Sequence, residues 1–316
     1  MECDFYFWTK GEVLIWKTYL TNASYAFKSS IKEVRAPAVS PETPHATFEE
    51  LNFDWRPGCR VALGYKLCNF MDTVAKFTYI GSKLNNSVSG GEDIVINSQP
   101  PFSTLIDLTS FLDQSGSVVS AMKAKMHSHL YMPDLELGRH CFVTNQIDLR
   151  PFIGLRGFFY KDTFTYIATD GLSATSDPVV FEPADFTTTI HDWIRGIGIR
   201  FGVDTLWGFW RGFSVYANGA VSYLGTWSKW RADAESTFPF SHTESLVNET
   251  YFGNIQGMSE IALGFQYDWF SCTKRYHLGF NAGYEFLGFL NDTNLLTFTD
   301  STLKFQGVTI GARFDY

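Results

Sequence analysis

Histidine and acidic side chains are the residues of this sequence that could do chemistry. His127 and His129 lie two positions apart, so in an extended strand they share one face, where two imidazoles could hold a metal. No cysteine or carboxylate lies nearby at ligand spacing, so we predict no metal site and no cofactor. His191 and Asp192 are an adjacent base and acid, but neighbours in a strand point to opposite faces. We therefore expect no enzyme.

A long period-two alternation must position these side chains. From 261 to 269 the odd positions hold Ile, Leu, Phe, Tyr and Trp, whereas the even positions from 260 to 268 hold Glu, Ala, Gly, Gln and Asp. The same split recurs over 148–159 and 56–67. Because successive strand residues point to opposite faces, each segment predicts a strand with one apolar face and one polar or small face.

Composition restricts the class of protein without choosing one. The 316 residues include 30 Phe, 15 Tyr and 9 Trp, and the net charge is -8, which argues against a nucleic-acid partner. A mean hydropathy of -0.08 with no long apolar run excludes a transmembrane helix, but the strands of a membrane β-barrel also average to near-neutral hydropathy. The chain begins without a signal peptide, and we expect one to have been removed.

The connections between alternating segments favour a barrel over a β-sandwich. Short turns are expected near 68–72, 139–146, 206–210 and 271–275, and long polar stretches near 21–46, 85–117, 169–189, 232–255 and 291–301. A transmembrane antiparallel barrel has short periplasmic turns and long extracellular loops, whereas a sandwich has no reason to sort its connections. We predict one domain, residues 1–316, that is all-β and lies in the outer membrane of a Gram-negative-type bacterium.

Ten strands account for the alternating segments. They are expected at 4–20, 47–67, 72–84, 118–138, 146–168, 190–205, 211–231, 256–270, 275–290 and 302–316. A further strand pair from 22–34 would make twelve, which is the alternative. Strands this long should project beyond the bilayer. The alternation changes around Pro133, which predicts a bulge or an edge irregularity there. The tryptophans near strand ends predict interface girdles rather than core packing.

The C-terminal residues look like the insertion signal of bacterial outer-membrane barrels. Gly311, Phe314 and Tyr316 are expected on one outward-facing register, with Tyr316 at the terminus. The partners implied are the outer-membrane lipid and the barrel-assembly machinery.

Several segments resemble the major outer membrane protein-like, pore-forming proteins of legionella and chlamydia-like bacteria. They are 11–17 (GEVLIWK), 53–61 (FDWRPGCRV), 63–65 (LGY), 134–139 (DLELGR), 149–157 (LRPFIGLRG), 196–200 (GIGIR) and 276–280 (YHLGF). The resemblance implies an outer-membrane porin and supplies no catalytic residues. The sequence departs from the pattern at Cys59, where an aromatic residue is more usual.

Charged and amide side chains collect on the face that would line the lumen. The candidate lumen-lining residues are Arg56, Arg60, Lys66, Asp148, Arg150, Arg156, Arg200, Asp204, Asn218, Glu260, Gln266, Asp268, Glu285 and Arg313. Such side chains can pass small polar solutes or can form ion pairs that brace the wall, and either role is open for each residue.

Four of the five cysteines gather on the periplasmic side of this topology. They are Cys3, Cys68, Cys141 and Cys272. Neighbouring turns of a barrel are often too far apart for the 4.4–6.8 Å Cα separation of a disulfide, and the periplasm is oxidising. We therefore predict disulfide cross-links to a second copy or to another envelope protein.

The function expected from the sequence is a porin-like passage for small hydrophilic solutes by passive diffusion. The first alternative is a closed structural or adhesive barrel whose side chains fill the lumen, and the second is an outer-membrane hydrolase. Bilayer conductance separates the first two, and activity on peptides or phospholipids tests the third.

Overall fold

The computed structural model describes residues 7–20, 24–29, 47–67, 70–89, 95–97, 118–119, 121–174, 181–236, 242–271, 276–290 and 302–315. Among these residues no helix is long and apolar enough to cross a membrane.

The described residues form β-strands along nearly their whole length. The strands are β1 (Phe7–Leu20), β2 (Ser24–Ser29), β3 (Thr47–Glu50), β4 (Arg56–Lys66), β5 (Met71–Ser89), β6 (Val95–Asn97), β7 (Val118–Val119), β8 (Ala121–Arg139), β9 (Cys141–Phe142), β10 (Ile147–Ala174), β11 (Phe181–Trp210), β12 (Phe213–Ser236), β13 (His242–Phe270), β14 (His277–Phe289) and β15 (Leu303–Asp315).

Ten antiparallel strands close into a barrel, as the sequence predicts. Their order around the wall is β11-β12-β13-β14-β15-β1-β4-β5-β8-β10, and the pairing of β10 with β11 completes the circle. Closure satisfies every sheet edge, which a strand in lipid requires. The twelve-strand alternative is wrong for the described residues, because β2 pairs with β3 and β6 in a separate four-stranded sheet.

Short turns lie at one end of the barrel, which is the periplasmic end by the rule for outer-membrane barrels. The tightest joins Trp210 to Phe213, where Gly212 adopts a positive φ of 86°. At the opposite end β10, β11 and β13 run to 28, 30 and 29 residues. About 9–11 residues suffice to cross a bilayer, so these strands extend well beyond it, as expected.

The chemistry of the two faces inverts along the strands, and on β8 it does so without any change of register. On β8 the inward residues near the periplasm are Asp134 and Glu136, whereas farther out they are Met126 and Leu130. The pairing of β8 with β5 runs through Pro133 without a shift, so the predicted bulge there is wrong. The apparent change of phase is a change in which face is apolar. The periplasmic half is apolar outside and polar inside, and the outer half is the reverse.

An outward apolar belt marks the membrane-spanning part of the wall. Its exposed side chains include Val13, Ile15, Val61, Leu63, Leu135, Leu137, Ile153, Leu155, Ile197, Ile199, Ile261, Leu263, Val308 and Ile310. Exposed aromatic residues flank the periplasmic end of the belt, among them Phe142, Trp207, Trp210, Trp269 and Phe314. Two tryptophans contradict the girdle prediction, because Trp16 and Trp230 are 2% and 1% exposed and pack in the interior.

Candidate functional site

The interior of the periplasmic half holds a layer of ion pairs, and Arg60 is its centre on one side. The Arg60 Nη1 atom lies 3.0 Å from Glu12 Oε2, and its Nη2 atom lies 2.9 Å from Glu285 Oε2. β4, which carries Arg60, and β14, which carries Glu285, are separated in the wall by β15 and β1. Lys10 Nζ and Asn281 Nδ2 also contact Glu12, at 2.7 and 3.2 Å. The contact between Arg60 and Glu285 therefore spans part of the lumen, whereas Glu12 lies directly opposite Arg60 on the neighbouring strand.

Arg150 organises the periplasmic side of the layer. Its Nε atom donates to Asp72 Oδ1 at 2.9 Å, and its Nη1 atom donates to Asp204 Oδ2 at 2.7 Å. The guanidinium lies against Gly138, where an added Cβ would stand 2.6 Å from Arg150 Cζ. Gly138 is therefore the residue that lets this side chain cross β8, and the Phe152 ring stacks under Arg150 at 5.5 Å.

A second set of ion pairs joins β8, β10, β11 and β13. Arg156 Nε and Nη2 donate to the two carboxylate oxygens of Asp134 at 2.6 and 2.7 Å, and Arg156 Nη1 contacts Glu260. Arg200 donates to the other Glu260 oxygen at 2.7 Å and also contacts Glu136. β10, which carries Arg156, and β13, which carries Glu260, have β11 and β12 between them. One carboxylate thus links three strands across the lumen.

An apolar core fills the outer half above this layer. Its largest fully buried members include Trp230, Phe158, Phe305, Leu14, Leu84, Met122, Met126, Leu130 and Met132. Phe158 and Phe289 meet edge to face with ring centroids 5.7 Å apart. Interdigitated side chains at this level pack as in a protein interior, which leaves little room for water.

Two cavities lie within the charged layer. The larger is about 200 Å³ and is lined by Lys10, Glu12, Arg60, Glu136, Arg150 and Tyr216 among others. The smaller is about 60 Å³ and lies beside Trp16, Arg156, Arg200 and Glu260. A water molecule occupies about 30 Å³ in the liquid, so the larger cavity has room for several.

All of the predicted lumen-lining residues lie on the inward register of their strands. Only some of them take part in the layer of ion pairs. Arg60, Arg150, Arg156, Arg200, Asp204, Glu260 and Glu285 form its ion pairs. Asn218, Gln266 and Arg313 line the larger cavity, as does Asp148, whereas Arg56 contacts Asp54 near the outer end of β4. Asp268 contacts His277 at the periplasmic rim, and Lys66 ends β4 there.

Several inward ion-pair partners were absent from the predicted lumen-lining set, and four of them show why. They are Lys10, Glu12, Asp72 and Lys76. The period-two alternation could have identified Glu12, because it alternates with the outward Val13 and Ile15. Asp72 and Lys76 are interspersed with threonine and alanine on β5, which makes the pattern there weak.

The predicted assembly signal does not share one face. Gly311 is buried and points inward, where an added Cβ would lie 2.7 Å from Glu12 Cγ. Phe314 is outward and stacks on Tyr276 at 5.9 Å. Residues three apart in a strand lie on opposite faces, so the expectation of a common outward register is wrong for this pair. Tyr316 lies outside the described residues.

Most of the cysteines for which we predict cross-links lie outside the described residues. Cys3, Cys68 and Cys272 are among these, and Cys141 is an exposed free thiol beside a periplasmic turn. Cys59 is free and exposed on the outward face of β4. The described residues contain no disulfide, and the predicted cross-links stay a prediction.

The residues considered first for chemistry are dispersed. His191 is partly exposed, whereas Asp192 is fully buried and points to the opposite face. His127 and His129 are exposed on the outer surface of β8. Within the described ranges no three His, Cys, Asp or Glu side chains are grouped as a metal site.

Comparisons with known proteins identify the family. The family described as Legionella pneumophila major outer membrane protein precursor matches residues 6–316. No curated protein matches the chain significantly.

Among solved structures, the outer membrane protease OmpT of Escherichia coli is 12% identical, with 100% of this chain and 98% of that chain covered and a TM-score of 0.39. A major outer membrane protein of Thermus thermophilus is 8% identical, with 99% and 100% covered and a TM-score of 0.37. The toluene transporter TodX of Pseudomonas putida is 8% identical, with 99% and 90% covered and a TM-score of 0.28. The family match spans essentially the whole chain, and the chain therefore belongs to the Legionella major outer membrane protein family and lies in the outer membrane.

Proposed function

We propose that this protein is a closed, structural outer-membrane barrel whose own side chains fill its lumen. The proposal rests on two layers of side chains that block the lumen one after the other along the barrel axis. Ion pairs from Arg60 and Arg156 cross the lumen in the periplasmic half, and the apolar core around Phe158 occupies the outer half. A ten-strand circumference is narrow enough for side chains to fill.

The energetics of each layer support a closed lumen. Arg156 is 2% exposed and has both carboxylate oxygens of Asp134 as acceptors, so removing it from its partners would leave desolvated charges. The core around Phe158 consists mainly of apolar side chains, and transferring a polar group into such surroundings without a hydrogen-bond partner costs several kcal/mol.

Passive diffusion of small hydrophilic solutes is the second candidate. The charged lining of the 200 Å³ cavity favours it, since charges of both signs can replace part of a solute's hydration. Passage by this route would require Phe158 and its neighbours to move, because they lie beyond the cavity.

Conductance in planar bilayers tests the two candidates against each other. We expect the purified, refolded chain to insert without a steady open-channel current, while a general-diffusion porin in the same bilayer gives one. The matched variants Phe158→Ala and Phe159→Ala should differ in conductance, because Phe158 is fully buried inside and Phe159 is 46% exposed to lipid. A steady wild-type conductance, together with uptake of small sugars by proteoliposomes, would overturn closure and favour diffusion.

We also propose that the barrel catalyses no reaction. The opposite orientations of His191 and Asp192 support this, since an acid and a base acting together must reach the same bound substrate. Turnover of peptide or phospholipid substrates by the pure protein, lost in a His191→Gln variant, would contradict it.

A further inference from the structure

A group of basic side chains faces outward at and just beyond the outer edge of the apolar belt on one side of the barrel. It consists of Lys83 on β5, Lys125, His127 and His129 on β8, Lys161 on β10 and Arg195 on β11, and we call it the basic patch. Strand pairing brings these residues together, because Lys83 is opposite His127, and Lys161 is opposite His129. The residues of four adjacent strands thus form one continuous surface.

Acidic residues are missing from the middle of this surface. Three successive ladder rows across β5, β8, β10, β11 and β12, all of them described, read Tyr79, Tyr131, Phe159, Arg195, Trp227; then Gly81, His129, Lys161, Trp193, Lys229; then Lys83, His127, Thr163, His191, Arg231. None of these positions holds Asp or Glu. Carboxylates lie at the two edges of the patch: Asp233 pairs with Arg231, and Asp54, whose backbone N donates to Lys83 O, lies 3.7 Å from Arg56. Partial burial and then the positive charges of Lys83 and Arg56 lower the pKa of His127, as expected in a net positive field.

The position of the basic patch along the strands coincides with the lipid headgroups. On β10 the outward residue directly beyond belt residue Phe159 is Lys161. A tilted barrel strand rises about 2.5 Å per residue along the membrane normal. Lys83 and His127 therefore lie roughly 30 Å from the turn ends of their strands, and Lys161 roughly 35 Å. The hydrocarbon is about 30 Å thick and each headgroup layer adds about 5–8 Å.

Aromatic contacts hold the basic patch in place. Tyr79 Oη and His129 Nδ1 are 3.0 Å apart with their rings stacked, and Lys161 Nζ lies 5.9 Å from the centroid of Trp193. His191 stacks on the same Trp193 at 5.8 Å. Tyr and Trp favour the membrane interface, so the surface combines interface anchors with fixed positive charge.

We propose that the basic patch binds the phosphate groups of a phosphorylated glycolipid in the outer leaflet of the outer membrane. Charge complementarity and the continuity of the patch with the apolar belt support this occupant, because one molecule can place acyl chains on the belt and phosphates among the cations. A free phosphate ion would use only the second of these surfaces. Among the described residues of the opposite wall, Lys17 and Lys304 are outward cations at a similar height.

Titration of diphosphorylated lipid A tests the proposal. The full chain is refolded in neutral detergent, and native mass spectrometry counts the bound lipid. A lysine near an anionic surface contributes about fivefold in affinity, so Lys83→Gln with Lys161→Gln should weaken binding about 25-fold. The matched control, Lys17→Gln with Lys304→Gln, should bind as the wild type does. Heat-modifiable migration checks that both variants are folded.

Four outcomes would overturn the proposal. They are equal loss in both double variants, no loss in the patch variant, equal wild-type affinity for dephosphorylated lipid A, and displacement of the lipid by millimolar inorganic phosphate. The last would assign the cations to free phosphate. If the double variant fails to fold, Lys161→Gln alone should weaken binding about fivefold, and an unchanged affinity in that variant contradicts the proposal equally.

Discussion

Arg156 offers the sharpest test of the buried ion pairs. Its guanidinium is 2% exposed and makes two hydrogen bonds to Asp134 of 2.6 and 2.7 Å, while Asp134 itself is 5% exposed. Arg156→Met keeps most of the side-chain volume but leaves the Asp134 carboxylate buried without its partner. Breaking a buried pair in this way costs about 3–5 kcal/mol, so we expect a loss of that size in the free energy of unfolding.

The double variant separates the charge pair from simple packing. Replacing both partners, as Arg156→Met with Asp134→Leu, removes the uncompensated charge, and such replacements are often neutral. Glu260 still loses one donor but retains Arg200 at 2.7 Å, for which we allow about 1–2 kcal/mol. The double variant should therefore be more stable than Arg156→Met alone by about 2–3 kcal/mol.

Urea unfolding in phospholipid vesicles, followed by tryptophan fluorescence, measures these differences. Arg231→Met is the control, because Arg231 is 50% exposed and its pair with Asp233 at 3.0 Å lies outside the belt. An exposed pair contributes about 0–1 kcal/mol. A cost for Arg156→Met no larger than that of the control, or a double variant as unstable as the sum of its single changes, would refute the reasoning.

Four further measurements test other parts of the barrel. Leu155→Arg or Leu263→Arg, at positions 54% and 59% exposed to lipid, should cost about 2–4 kcal/mol in vesicle unfolding, whereas the inward Asn218→Ser should cost far less; equal costs would refute the facing. Burial and then the charge of Asp192 raise the pKa of Asp162, so the folded state keeps a proton that the unfolded state has lost; stability should fall as pH rises above about 4, and Asp162→Asn should remove this dependence. Hydrogen bonds that His140 donates to the carboxylates of Asp72 and then Asp148 raise the pKa of His140 at the periplasmic turn, so its contribution to stability is complete below about pH 6.5 and is lost as pH rises through the raised value; a urea midpoint whose pH profile is unchanged in His140→Gln would contradict this. Replacing Phe314 with Glu, or deleting Tyr316, should reduce the heat-modifiable barrel in envelopes more than a change within 237–241, and normal assembly of both variants would end the idea of a terminal signal.

The strand pattern was predictable because its period is two and the belt is long. Between Ile261 and Trp269 every odd residue meets lipid, and the predicted strand 256–270 ends where β13 ends. Long segments with a strict alternation leave only one register that puts all apolar side chains outside. The same reasoning gave the ten-strand count, since each long segment had to cross the membrane once.

The filled interior was not predictable from the same pattern. His127 and His129 alternate with Met126 and Leu130, and alternation alone does not say which set points inward. The expectation that a barrel has no core then misplaced Trp230, which is buried among apolar side chains. The ion-pair partners could not be predicted from the sequence either, because Arg156 and Glu260 are 104 residues apart and meet only through the curvature of the closed sheet.

The inversion of the two faces gives the halves of the barrel different requirements for folding. The outer half buries Met126 and Phe158 and exposes Lys125 and Lys161, so its interior is stabilised by the hydrophobic effect in water. The periplasmic half exposes residues such as Leu263 and gains nothing from that effect until lipid covers them. Its interior charges meanwhile become more strongly paired as water leaves, because a lower dielectric strengthens each contact. Lipid insertion and closure of the ion-pair layer are therefore coupled steps, and the layer stabilises the part of the wall that lies in the membrane.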